Sequence, residues 1–272
     1  IDTLSINLSA QRDASPKATL QCFLGEKSLR QWLDANEGES VDTKPFDLNA
    51  IEINPNWSSD LIARARDILK DFSDVFDSSS GNLPKPFITE PVELSFKPDP
   101  VPQSIPEPRW THALSRVITK WAEDGLSNGS LEFSKSAWAS RPHVVLKPPG
   151  GKRAEDAPIS ECKLRVVGDY RLANTQIAKL TPNLPTGTVE LEKASGHKFY
   201  FESDSVACYN SFILKEGLSR ECLAVWTPIG LVQPTVLPFG QKNSGTEAQG
   251  PYRQAAASLR NISNYVDDWL GY

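Results

Sequence analysis

Three carboxylates carry the chemistry this sequence could perform. Asp267 and Asp268 are adjacent in NYVDDWLGY, and Asp204 lies in FYFESDSVACY. Neighbouring carboxylates repel, so both stay ionised cheaply only where water or a cation compensates them. The flanking Tyr-Val and Trp-Leu read as strand, with Asp-Asp as a tight hairpin tip. From the pair alone, a solvated turn and a hard-cation site are both open, and the solvated turn is the commoner outcome. Asp204 shifts that balance. A lone Asp in such a run usually caps or ends the strand, but an antiparallel neighbour would set it beside the hairpin tip. Three crowded carboxylates call for an oxygen-seeking divalent cation such as Mg2+. Two such ions would activate an attacking 3′-hydroxyl and stabilise a leaving pyrophosphate, as nucleotide polymerisation requires.

The elements that must position these groups are legible in outline. SSDLIARARDILKDFSDVF (58–76) reads as an amphipathic packing helix, with Ser58 or Ser59 as N-cap and a stripe of Leu61, Ala65, Ile68, Leu69 and Phe72. Residues 84–108 are proline-rich and extended, with at most edge strands around ITEPVEL. RWTHALSRVITKWAEDGL (109–126) reads as a second helix, ended by Gly125. AWASRPHVVLK and CKLRVVGDYRL read as strands joined by the loop PPGGKRAEDAP. KFYFESDSVACYNSFIL is the strongest strand run, and CLAVWTPIGLVQPTVLP predicts a hairpin turning at Pro228–Gly230. QAAASLRNIS reads as helix. Strands and helices mixed without regular βα alternation predict an α+β fold.

The bulk figures set the frame. A chain of 272 residues with 39% apolar and 23% charged residues is ordinary for a folded protein. No apolar run is long enough to span a bilayer, and IDTLSINLSAQRDAS lacks the features of a signal peptide. The cysteines (Cys22, Cys162, Cys208, Cys222) form no CxxC pair and suggest reduced thiols, hence an intracellular setting. Methionine is absent, so the chain reads as an internal piece of something longer, such as a polyprotein. The net charge of −5 is unevenly spread. Residues 1–108 hold 10 Lys+Arg against 18 Asp+Glu, 109–174 hold 11 against 7, and 175–272 hold 8 against 9. A basic middle can steer phosphates whatever the global sign, although a solvated mixed-charge surface is the simpler account.

Taken in order, the segments resemble the reverse transcriptase of gypsy-class LTR retrotransposons from about Asp67 to Tyr272. The similarity is carried by DILKDFSDVF with LPKP, by WAEDGLSNGSLEFSKSAWASRPHVVLKPPGG, by LRVVGDYRLAN, by GHKFYFESDSVACY, by WTPIGLVQPTVLPFGQKN, and by NYVDD as the Tyr-x-Asp-Asp signature. One Tyr-x-Asp-Asp is weak evidence, whereas six ordered segments are specific.

The resemblance implies a right-hand polymerase fold: fingers and partial palm with an antiparallel palm sheet, and with thumb and ribonuclease H absent. It divides the chain into an acidic leader (1–56), a helix with a proline-rich lead-in (57–108), and fingers plus partial palm (109–272). It makes Asp204, Asp267 and Asp268 the catalytic Mg2+ ligands. Arg165 and Lys147 would grip the triphosphate, Tyr209 would act as steric gate, and Phe239 and Gly240 would line the nucleotide pocket. Implied partners are an RNA or DNA template with its primer, deoxynucleotides, and the rest of a polyprotein; the implied setting is the cytoplasm or virus-like particles. Outside that resemblance, Arg165 reads as a surface arginine, Tyr209 as core, and Phe239–Gly240 as a packed turn. Asp169 with Arg171 reads as a structural ion pair; His143, His197, Trp110, Trp121 and Trp138 read as packing.

The chain departs from the family pattern in three places. QKNSGTEAQGPYRQ keeps Asn243 but lacks the usual Ala-Pro and Phe, Ser205 stands where leucine is usual, and Cys208 stands where glycine is usual. A rival reading is a truncated, non-catalytic nucleic-acid-binding remnant. A third, an unrelated α+β domain, requires all six matches to be accidental.

Overall fold

In the computed structural model the described residues are 26–36, 49, 51–73, 84, 86–87, 89–149, 157–182 and 184–272. The leader's patch KSLRQWLD forms helix α1 (Glu26–Ala35), whose Leu29 is buried against the next long helix but one. Helix α2 (Ser59–Asp71) starts as expected, with the Ser58 hydroxyl accepting from the Leu61 N–H. Its stripe differs from expectation: Leu61, Ile68 and Phe72 are exposed, Ala65 and Leu69 are half-buried, and no residue of the helix is fully buried.

Helix α3 (His112–Asn128) runs through Gly125 and ends at Gly129, whose φ of +80° is the left-handed cap that glycine permits. Gly125 serves packing instead of termination. A Cβ there would meet the Leu131 side chain at 2.5 Å, so only glycine lets the helix approach the next strand. The buried face of α3 (Ala113, Val117, Ile118) closes a core with Leu29 and Val144.

Among the described residues eight short strands form three antiparallel sheets. β1 (Leu131–Phe133), β5 (Val225–Thr227) and β6 (Gly230–Pro234) make one, ordered β1-β6-β5; the hairpin expected at Pro228–Gly230 forms with its turn at Pro228–Ile229, and Gly230 opens β6. β2 (Pro142–Lys147) and β3 (Lys163–Gly168) make a two-stranded ribbon. β4 (Phe201–Asp204), β7 (Ile262–Tyr265) and β8 (Asp268–Gly271) make the third, ordered β4-β8-β7. The long run around β4 stops being strand after Asp204. The chain turns there through Ala207, at φ +49°, into a 3-10 turn over Cys208–Ser211.

Helices α4 (Arg171–Gln176), α5 (Gly187–Ala194) and α6 (Leu218–Glu221) are short. Helix α7 (Ser244–Ala257) begins ten residues before the expected QAAASLRNIS and ends where that segment was to continue. Left-handed Asn261 (φ +57°) then redirects the chain, and Ile262–Ser263 enter β7 as strand. The main core gathers Leu94, Trp138, Phe212, Leu214, Leu223 and Leu237, with Ala248 and Tyr252 contributed by α7. Each such large side chain contributes roughly 1.5–3 kcal/mol on burial. This core supports the third sheet, because Trp269 of β8 packs edge-on to Tyr252 at 5.5 Å. No helix among the described residues is long and apolar enough to cross a membrane.

Candidate metal and nucleotide site

Strand pairing brings the three carboxylates together. In β4 and β8, Asp204 stands directly opposite Asp268, and in β8 and β7, Asp268 stands opposite Tyr265. Directly paired residues share a face of a sheet, so these three side chains rise from the same side. The hairpin tip itself is Val266–Asp267, one residue earlier than the Asp-Asp tip expected from sequence; Asp268 is the first residue of the returning strand. The carboxylate oxygens of Asp204, Asp267 and Asp268 lie within 4.8 Å of one another, and all three residues are exposed. Among the described residues no lysine or arginine forms an ion pair with any of them.

That charge is felt locally. Partial burial, then the charges of Asp267, Asp204 and Glu202, push the Asp268 carboxyl above its ordinary range. Burial first, and then Asp267 and Asp204, push the Cys208 thiol up to about 12. The donor set is wholly oxygen and uncompensated by the protein, which fits a hard divalent cation held by Asp204, Asp267 and Asp268.

The tip is held in a conformation its residue type resists. Val266 has φ +56° while Asp267 stays outside the left-handed region, so the two-residue turn has the II′ pattern that normally wants glycine first. Helix α7 fixes it. Gln249, fully buried, accepts the Val266 N–H at 2.7 Å through Oε1 and donates through Nε2 to Asn264 Oδ1 at 2.8 Å. Asn264 in turn donates to the carbonyls of Val266 (3.0 Å) and Asp268 (3.2 Å). Ser205 closes the β4 side: its N–H reaches the Asp267 carbonyl at 2.8 Å, and its hydroxyl accepts the Trp269 indole N–H at 2.9 Å. A leucine at 205 would offer no such acceptor.

A second group of expected residues lines up beside the acids. Tyr209 is half-buried in the 3-10 turn, and its ring lies 4.8 Å from that of Phe239. Burial, then Cys208 and Asp267, raise its phenol above the ordinary value. Arg165 places its guanidinium over the Phe239 ring, 5.7 Å from its centre. Gly240 has φ +90°, and a Cβ there would approach the Gly168 carbonyl at 3.3 Å, so this turn also needs glycine. Lys147 stands at the end of the ribbon opposite Lys163, on the ribbon face that carries Arg165. Like charges directly opposite are unfavourable, so Lys163 makes this face a three-cation surface that the sequence did not single out.

The residues read as structural are placed accordingly. Arg171 and Asp169 form a two-pronged pair (2.7 and 2.6 Å), which holds the Asp169 carboxyl below its ordinary range. Trp138 is buried in the main core, Trp110 and Trp121 pack against the α3 core, and the His197 ring lies 4.9 Å from that of Tyr272. Cys162, Cys208 and Cys222 are free and buried; Cys22 lies outside the described residues.

No family model and no curated protein matches the sequence. Solved structures do match the fold. The prototype foamy virus protease-reverse transcriptase, as a selenomethionine-labelled CSH mutant, aligns over 90% of this chain and 29% of its own with TM-score 0.67 and 16% identity. The foamy viral protease-reverse transcriptase in complex with an RNA/DNA hybrid aligns over 83% and 28%, with TM-score 0.66 and 16% identity. The same protein in complex with dsDNA aligns over 83% and 43%, with TM-score 0.62 and 18% identity. This chain thus spans less than half the length of each. At these identities the likeness establishes the fold: an α+β, reverse-transcriptase-like arrangement of fingers and palm.

Proposed function

We propose that the chain is the fingers and partial palm of an RNA-directed DNA polymerase of the gypsy-class LTR-retrotransposon type, part of a longer polyprotein. Residues 109–272 carry the polymerase elements, 57–108 lead into them, and 1–56 form the leader. The observation that carries this reading is the convergence of Asp204 with Asp267 and Asp268 on the fold that the foamy viral enzymes share.

The reaction would join the primer 3′-oxygen to the α-phosphorus of a deoxynucleotide. The bond to the β-phosphate breaks, pyrophosphate leaves, and the hydroxyl proton passes to solvent. Asp204, Asp267 and Asp268 would hold magnesium, which would supply positive charge to acidify the 3′-hydroxyl and neutralise the leaving group. The chain's own side chains do the positioning. Arg165, with Lys147 on the same ribbon face, grips triphosphate oxygens through its planar fork. Phe239 and Gly240 line the nucleotide pocket, and the Tyr209 ring excludes a 2′-hydroxyl, favouring deoxynucleotides. The primer and its RNA or DNA template lie across the acidic tip.

The test is primer extension on an RNA template with Mg2+ and deoxynucleotides, run beside Asp204→Asn and Asp267→Asn. Extension that disappears in both variants is the expected result. Undiminished synthesis by Asp267→Asn refutes the mechanism, and no synthesis by any of the three with duplex binding intact makes the chain a binding remnant. Helix α7 weighs against the remnant reading: despite the altered QKNSGTEAQGPYRQ segment it forms, and it places Gln249 against the hairpin.

A further inference from the structure

The turn that carries Tyr209 is entered through strain. Ala207 has φ +49°, a conformation that a residue with a side chain keeps only while its surroundings enforce it. Two bonds close the turn from within: the Asn210 N–H donates to the Ala207 carbonyl (2.8 Å) and the Phe212 N–H to the Tyr209 carbonyl (3.1 Å). The rest of the enforcement comes from segments remote in sequence.

Residues 211–215 run between two of these segments, like a middle strand. Towards the proline-rich lead-in, the Ser211 carbonyl accepts the Phe87 N–H at 2.7 Å and the Ile213 carbonyl accepts the Val92 N–H at 2.8 Å. The Lys215 N–H donates to the Val92 carbonyl at 2.9 Å. The alternate residues turn their backbone groups the other way, towards the segment that leads to Phe239. There the Leu214 N–H donates to the Thr235 carbonyl at 2.8 Å, and the Phe212 carbonyl accepts the Leu237 N–H at 2.9 Å. The exit of the Tyr209 turn is thus held between the lead-in and the approach to the nucleotide pocket.

Three rings reinforce that hold. Phe87 packs on Phe212 with centroids 5.5 Å apart and edge-on to Tyr252 at 5.1 Å, and Tyr252 meets Phe212 edge-on at 5.3 Å. Tyr252 is buried on α7, and its hydroxyl donates over a long 3.5 Å to the carbonyl of Cys208, the first residue of the 3-10 turn. The Ser211 and Ser205 hydroxyls also act on that phenol. Through its further contact with Trp269, this one side chain joins the lead-in, the Tyr209 turn and the acidic hairpin.

We propose that Phe87 and Tyr252 are positioning residues for Tyr209: together they fix the turn over Cys208–Ser211, and with it the 4.8 Å spacing of the Tyr209 and Phe239 rings that sets how closely the pocket fits a sugar. The lead-in then takes part in sugar selection instead of only connecting the leader to the fingers. What the turn selects rests on the polymerase reading; the coupling of lead-in to turn does not. Core packing is the simpler role for three aromatic rings, and it has a different consequence. Lost packing weakens the whole core alike, whereas lost positioning opens one turn ahead of the rest.

The test compares two variants of the whole chain with the parent. Tyr252→Phe keeps the ring contacts and removes the hydroxyl, whereas Phe87→Leu keeps apolar bulk and removes the ring. Each is treated with iodoacetamide under native conditions, and Cys208 and Cys222 are followed separately by peptide mass analysis. Cys208 lies in the turn and Cys222 in the same core outside it, so Cys222 records global opening. Losing one hydrogen bond should speed Cys208 labelling about threefold to tenfold relative to Cys222 in Tyr252→Phe, and Phe87→Leu should act in the same direction. In primer extension both variants should admit ribonucleotides more readily, with kcat for deoxynucleotides nearly unchanged. Equal acceleration of the two cysteines, or of neither, overturns the proposal. So does a selectively opened turn in an extending chain whose ribonucleotide discrimination is unchanged. Selective Cys208 labelling in a chain that extends no primer leaves the coupling standing and removes the polymerase reading. Extension without selective labelling does the reverse.

Discussion

Replacing Gln249 with leucine should loosen the acidic tip more than it harms the fold. Leucine keeps the buried volume approximately and removes both polar ends. The Val266 N–H and Asn264 Oδ1 then lose their partners at 2.7 and 2.8 Å. A buried group left unsatisfied costs about 1–3 kcal/mol. Asn264 is buried and takes that cost, whereas Val266 is half-buried and water recovers part of it. The expected loss of stability is about 2–4 kcal/mol, or roughly 5–15 °C in Tm for a chain of this size. A left-handed valine stores about 1–3 kcal/mol, and such strain persists only while its surroundings enforce it. Without Gln249 the tip should relax, spreading the oxygens of Asp204, Asp267 and Asp268 that now lie within 4.8 Å. Terbium(III), a hard oxygen-seeking ion, reports this through luminescence and should bind Gln249→Leu at least tenfold more weakly. In a Val266→Gly background the turn needs no enforcement, so the same substitution should cost terbium affinity much less. A double-mutant cycle should give a coupling of about 0.5–2 kcal/mol. A lower Tm with unchanged terbium affinity would refute the positioning argument, and strict additivity would refute the role of strain.

Gly125→Ala should destabilise by about 1–3 kcal/mol although alanine is the better helix former, because its Cβ would press on Leu131; chemical denaturation checks the sign. Asp204→Asn, which removes one of three mutually repelling charges, should raise Tm slightly in metal-free buffer and lose that advantage in millimolar Mg2+. Tyr209→Val should open the space beside Phe239 and increase ribonucleotide incorporation severalfold, measured by alkali-sensitive primer extension. The Cys208 and Cys222 thiols, both pushed up to about 12 chiefly by burial, should react with iodoacetamide at pH 8 only as fast as the chain unfolds.

Local signals reached a definite depth. Ser58 as a cap and the hairpin around Pro228–Ile229 follow from residues within a few positions of one another, and the strands of the β2–β3 ribbon from two short apolar runs flanking one Gly-Pro-Lys loop. The acidic cluster was legible because strands have a period of two and pair opposite one another, so two acid-bearing strand ends sufficed to predict the meeting. What local signals could not carry was competition with tertiary packing. Gly125 looks like a helix stop in sequence but is an approach point for Leu131. Pro251 argues against a helix, yet α7 contains it, because Ala248, Gln249, Tyr252 and Ala256 are buried along the helix and outweigh one lost backbone hydrogen bond. The aromatic run at 198–214 looks like one long strand, yet left-handed Ala207 breaks it so that Tyr209 can face Phe239.

Charge shows the same limit from another side. Summed along the chain, positive charge concentrates between 109 and 174, and Arg165, Lys147 and Lys163 of the ribbon come from that stretch. Lys97, Lys179 and Lys242, whose charges act on one another, do not. Lys97 belongs to the acidic first part of the chain, and Lys179 and Lys242 belong to the nearly neutral last part. Ser95–Lys97 pairs with Gln176–Ala178 and Lys242 reaches back to the end of α4, which brings all three within range of one another's charge. A basic surface can therefore arise where no basic segment exists. In a chain of net charge −5, its strength depends on which carboxylates the fold keeps away from it.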